Sequence, residues 1–160
     1  MFLYLFFICI LCIVTITDLR RKTIPNRVIL VALFVKFIHT ITLFFLEKAN
    51  QPQDVKVISL LTTLLILCFD GLAVSIPLLF LVLIMERIRK KEAMGGGDIK
   101  LLFVTGLYLG WERNLRVLLL ASLLGVVFLL IKDRKVDAKK EDTFPFGPMI
   151  AIASVVCMWI

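Results

Sequence analysis

The sequence predicts an all-α fold, a polytopic membrane helical bundle of about six transmembrane helices with its amino terminus outside. Three observations predict it. Of 160 residues, 61% are hydrophobic and only 19% are charged. The mean hydropathy is +1.01. Six apolar runs alternate with short polar segments. Soluble domains are about half apolar and a quarter charged, so this composition excludes that class. Crossing a hydrocarbon core of about 30 Å takes about 20 helical residues, which leaves room for roughly six spans in a single membrane-embedded domain over residues 1–160. Each run is read as helix, because lipid offers no partner to the backbone groups of a loop or sheet edge.

The first run, 2–17, has no positive charge before it, no small-residue cleavage site after it, and Arg20, Arg21 and Lys22 behind it. It reads as a retained anchor, and its flanking charges put the 18–27 segment in the cytoplasm. The second run is 28–46. The third, 57–85, decides the topology. It is long for one span, and Asp70, Gly71 and Pro77 offer places to divide it. Division would leave two pieces of about 20 Å, each short of a crossing, so one crossing is expected. The fourth, fifth and sixth runs are 99–111, 117–131 and 146–160, with a mixed-charge hydrophilic connector at 132–142. Arg20, Arg21, Lys22 and Arg27, then Arg87, Arg89, Lys90 and Lys91, then Lys132, Arg134, Lys135, Lys139 and Lys140 then share the cytoplasmic side. The opposite loops hold Lys48, Lys56, Arg113 and Arg116. That asymmetry satisfies the positive-inside rule for a multi-pass plasma-membrane protein.

The formal charge of +7 does not indicate nucleic acid, since no basic, aromatic-interleaved face builds up. Lipid is the expected neighbour. Cys9, Cys12, Cys68 and Cys157 lie in apolar runs, where a thiol acts as a small hydrophobe. Cys9 and Cys12 form one CxxC without the second pair or histidines that a zinc site needs. No metal or other cofactor is expected.

Two segments break the apolar pattern, and one crossing by the third run places both on the cytoplasmic side. One carries Asp18 and runs on to Pro25 and Asn26. The other is Gly95, Gly96, Gly97 and Asp98, followed by Lys100. The runs beside the two aspartates would make only about 24 and 20 Å of helix, so both carboxylates are expected slightly below headgroup level. A submerged carboxylate is costly unless it is paired or used. Two carboxylates sharing a proton suit an aspartyl protease: the ionised one draws a proton from water, and the protonated one polarises the scissile carbonyl. The only histidine, His39, lies in the second run, and no serine has a histidine partner at a recognisable motif. The glycines would let the chain turn into the fourth helix and let a substrate strand approach. The helix dipole there favours a charged Asp98, which casts Asp98 as base and Asp18 as proton carrier. A glycine hinge with an aspartate N-cap, beside an interfacial Asp18, fits the same spacing.

The residues resemble the type IV prepilin peptidases, membrane aspartyl proteases of the GxGD class, over nearly the whole chain. Three segments carry the resemblance in the family's order. They are Asp18 with Arg20, Arg21, Ile24, Pro25 and Asn26; Gly95, Gly97, Asp98, Lys100 and Leu101, continuing to Gly106, Gly110 and Trp111; and Pro145, Phe146, Gly147 and Pro148. The resemblance implies that Asp18 and Asp98 are the catalytic pair. It implies endoproteolytic removal of a short basic leader from prepilin or pseudopilin precursors at the cytoplasmic face. Gly95, Gly96, Gly97, Lys100, Pro25, Asn26, Pro145, Gly147 and Pro148 are the expected active-site loop and substrate-binding residues. A basic leader would meet a basic face, offset by the pair with Glu92, Glu141 and Asp142. Larger family members carry a zinc-binding insert linked to methylation of the new amino terminus; no such insert separates the first two runs here, so cleavage without methyl transfer is expected.

Asp70 is expected near the outer end of the third span, too distant for catalysis. Lys36 and His39 lie one turn apart and suit a polar face turned into the bundle, or snorkelling. Gly106 and Gly110 form a GxxxG that suits a close helix contact. The alternatives from other classes are a small ion or solute transporter, with carboxylates at staggered depths, and an inactive assembly scaffold.

Overall fold

The computed structural model describes residues 2–21, 23–50, 57–89, 94–133 and 146–159. They form six helices: α1 (Phe2–Arg21), α2 (Asn26–Asn50), α3 (Val57–Arg89), α4 (Gly96–Leu109), α5 (Trp111–Asp133) and α6 (Gly147–Trp159). No strand occurs among the described residues. Arg20 and Arg21 close α1, where positive charge complements the helix dipole. Pro25 disfavours helical geometry in the residue before it. Its carbonyl accepts the Val28 N–H at 3.0 Å, so α2 begins at once.

The third run is one continuous helix of 33 residues with Pro77 inside it. Four helices, α1, α2, α3 and α5, contain stretches long and apolar enough to cross a membrane. The other two expected spans differ. With 14 and 13 residues, α4 and α6 are short, and α4 is the bundle's central helix rather than a lipid-facing one. Leu101, Leu102, Val104 and every residue from Thr105 to Leu109 are buried, because α4 packs against α2, α3, α5 and α6. The outward faces of the long helices display large apolar side chains such as Phe34, Leu65, Phe80 and Leu119, as a lipid-facing surface requires.

Close contacts set the position of α4. A Cβ on Gly106 would collide with the Asp70 carbonyl of α3 and lie 2.7 Å from Asn114 Nδ2, so only glycine lets the backbones approach. The GxxxG expectation holds for Gly106 alone. Gly110 has open space where a Cβ would stand and instead adopts φ 85°, donating its N–H to Gly106 O at 2.8 Å. That left-handed turn ends α4 and lets α5 start one residue later. On its other flanks, Tyr108 stacks on Phe7 of α1 at 4.4 Å and donates its hydroxyl to Ala32 O of α2 at 2.9 Å.

Candidate active site

Each aspartate is placed by a helix end. Asp18 lies one turn before the end of α1 and is buried, 5% exposed. Asp98 is the third residue of α4 and is 8% exposed. The two line one cleft of about 250 Å³ with Thr23, Ile24, Asn26, Gly95, Gly96, Gly97 and Lys100. Its walls are the end of α1, the link to α2, and the glycine loop with the first turns of α4.

The glycines contribute closeness more than unusual dihedrals. Gly95 caps α4 in an extended conformation, φ −64° and ψ 131°, which any residue can adopt. A Cβ on Gly97 would stand 3.0 Å from Ile24 Cβ, and one on Gly95 would stand 3.2 Å from Asp98 Oδ2. The loop therefore presses against the link behind Asp18 and leaves the carboxylate room. Lys100 Nζ donates to Asn26 Oδ1 at 3.0 Å, a second tie between the same two segments.

Asp18 is held from the opposite side. The Gly147 N–H, at the start of α6, donates to Asp18 Oδ2 at 3.1 Å. A Cβ on Gly147 would sit 2.7 Å from that oxygen, so the approach depends on glycine. Pro148 is buried in the first turn of α6, where its missing N–H costs nothing.

Asp98 precedes the apolar part of α4 and lies outside the four long spans. Burial pushes its pKa up to about 7, and the Asp18 charge pushes the same way. Burial acts on Asp98 in the opposite sense to the helix dipole, which by itself favours the charged form.

Asp18, Asp98, Gly95, Gly96, Gly97, Lys100 and Asn26 thus come together in the cleft, and Gly147 reaches it through Asp18. Pro25 and Pro148 do not line it; they start α2 and α6 from behind. Pro145 lies outside the described residues, as do Lys22, Lys90, Lys91, Glu92, Arg134, Lys135, Lys139, Lys140, Glu141, Asp142 and most of the 132–142 connector. Thr23 enters the cleft without having been singled out, since only its place beside Ile24 hinted at it.

The other polar residues have structural partners. Asp70 Oδ1 accepts the Trp111 N–H at 3.3 Å, capping α5 away from the cleft. Lys36 Nζ lies 5.5 Å from the Tyr108 ring centroid, turned into the bundle and within range of a cation–π contact.

The family model of the type IV leader peptidase family matches residues 5–130. Similar curated proteins include the prepilin leader peptidase/N-methyltransferases of Aeromonas salmonicida (strain A449) and Pseudomonas aeruginosa, 40% identical over 74 and 70 residues, in each case 43% of this chain and 24% of the relative. That of Pectobacterium carotovorum is 44% identical over 71 residues, 42% of this chain and 24% of the relative. The matched stretch spans about a quarter of the length of these relatives. No solved structure matches. With the family model covering most of the chain, including both aspartates, the chain belongs to the type IV leader peptidase family.

Proposed function

We propose that this protein is a membrane aspartyl endopeptidase that removes the basic leader from type IV prepilin-like precursors at the cytoplasmic face. The observation that carries the proposal is the cleft lined by both Asp18 and Asp98, each of them buried. Family membership supports the reaction class. The basic residues that flank the site end of the helices support the cytoplasmic orientation.

Asp98, with its raised pKa, carries the shared proton and donates a hydrogen bond to the scissile carbonyl oxygen. Asp18, whose Oδ2 already accepts a backbone N–H, is the carboxylate that takes a proton from the attacking water. Hydroxide adds to the carbonyl carbon, and the Asp98 hydrogen bond stabilises the developing oxyanion. The proton held by Asp18 then passes to the departing nitrogen as the C–N bond breaks. The products are a leader with a new carboxylate and a pilin with a new amino terminus. The two carboxyls titrate as a unit, so the roles belong to the protonation state of the pair.

Within these residues α1 and α2 are joined by a short link that ends at Pro25, with no zinc-binding insert. This supports cleavage without methyl transfer, testable by mass spectrometry of the mature pilin terminus. A transporter with carboxylates at staggered depths is not favoured, because Asp18 and Asp98 share a cleft and Asp70 caps a helix.

Co-expression with a host prepilin, followed by gel mobility of the leader, tests the pair. Asp18→Asn and Asp98→Asn should each abolish processing, a loss of at least about a thousandfold, or about 4 kcal/mol of transition-state stabilisation, while the proteins still accumulate in the membrane. Persistent processing by both variants would sink the dyad.

A further inference from the structure

We infer that the apolar helix of the precursor docks laterally in the groove between α2 and α3, with α4 as its floor. This rests on the peptidase reading and names the surface that reading leaves open. Two apolar grooves run along the bundle. One, of about 330 Å³, is lined by Leu30 and Phe34 of α2, Cys68 of α3, and Phe103 and Leu107 of α4, with Lys36 of α2 as its one charged residue. The other, of about 420 Å³, lies between α1 and α6, with Cys12 and Ile16 facing Ala151 and Val155. Size favours the second, but connection to the cleft favours the first.

The cleft and the α2–α3 groove share their walls. On α4, Lys100 in the cleft is followed by Phe103 and Leu107 in the groove, at i, i+3 and i+7, which is one helix face. On α2, Asn26 in the cleft is followed by Leu30, Leu33 and Phe37, at i, i+4, i+7 and i+11. The two stripes start together where Lys100 Nζ meets Asn26 Oδ1. A helix lying on them would point its amino-terminal end at that junction and at the aspartates just beyond. The span from Leu30 to Phe37 is about 10 Å, enough to seat about two turns of helix. Because α2 and α3 scarcely meet, the groove is open to lipid along its side.

The α1–α6 groove joins the cleft along one wall only, through Leu11 and Thr15, which share a face of α1 with Asp18 at i, i+4 and i+7. No α6 residue lines the cleft. Buried Gly147, itself the first residue of α6, is bonded to Asp18 Oδ2. A helix in that groove would meet the cleft on the α1 side alone.

Two exposed native cysteines mark the two grooves. In an Asp98→Asn background, which holds the precursor uncleaved, one chain keeps only Cys68 and another only Cys12. Each is oxidised with copper phenanthroline, in membranes, against a host prepilin carrying one cysteine at successive positions of its apolar helix. The expected result is a disulfide to Cys68, recurring every three or four positions and at least tenfold above any to Cys12. Equal or stronger linkage to Cys12 overturns the proposal, as does linkage to neither. The wild-type chain is assayed in parallel on the same prepilins. Processing without a Cys68 link refutes the groove and leaves the peptidase standing, whereas processing of none of them refutes the peptidase reading itself.

Discussion

Two polar clusters lie about 10 Å apart along α4, and they are built in opposite ways. In the bundle's centre, Asn114 is fully buried, its Oδ1 2.6 Å from Thr105 Oγ1 and its Nδ2 donating to Leu102 O at 2.9 Å. Tyr108 donates to Ala32 O nearby. Every one of these side chains is spent on a neighbour. At the aspartate end, Asp18 and Asp98 line one cleft, and the Gly147 N–H is bonded to Asp18 Oδ2. Buried polar groups that are satisfied lock helices together, while carboxyls that line an open cleft remain available for chemistry.

The sharpest way to break this comparison is to empty the satisfied cluster. Asn114→Ala strips Thr105 and Leu102 O of a buried partner and leaves a cavity, and should cost about 3 kcal/mol of stability. Thermal unfolding in detergent measures it. Activity of the fraction that remains folded should be nearly normal, because the cleft is untouched. A variant of unchanged stability with lost activity would reverse the roles given to the two clusters.

Gly147→Ala probes the opposite cluster. The new methyl must displace Asp18 Oδ2, so processing should fall at least about tenfold, or about 1.4 kcal/mol, with only a small change in unfolding temperature. A loss confined to stability would mean that Gly147 merely starts α6.

The pH profile sharpens the same contrast with a slightly smaller effect. With Asp98 as the proposed proton carrier and burial pushing its pKa up to about 7, the rate should fall as pH rises through that value. Processing near pH 8 should be about tenfold slower than near pH 6. The sign for stability is the same. A carboxyl whose folded pKa is raised binds its proton more tightly when folded, so its contribution is complete below about pH 4 and lost as pH rises to about 7. Initial rates in proteoliposomes check the first statement. A rate that instead climbs through pH 7 would hand the proton to Asp18.

Much of the architecture was legible because apolar runs in lipid have few solutions. The runs gave six helices, and the basic residues after Asp18 with Pro25 marked where α1 gives way to α2. The central burial of α4 was not legible, since its apolar run looks like any lipid-facing span. Nor was the role of Gly110, because a glycine at i+4 from another suggests packing until its φ is known. Asp18 and Asp98 stood out as acids beside apolar helices, yet how deeply each is buried was not legible, since spacing does not report burial.

By itself, the sequence determined the helices, the two aspartates and the small residues around them, because hydrophobic length, proline and glycine act through local geometry. Only the tertiary structure decided that Gly147, about 130 residues away in sequence, bonds Asp18, that Lys100 meets Asn26, and that Asp98 is buried in the cleft. Those outcomes arise from distances between separate helices, and a linear pattern carries no information about the dielectric that packing creates.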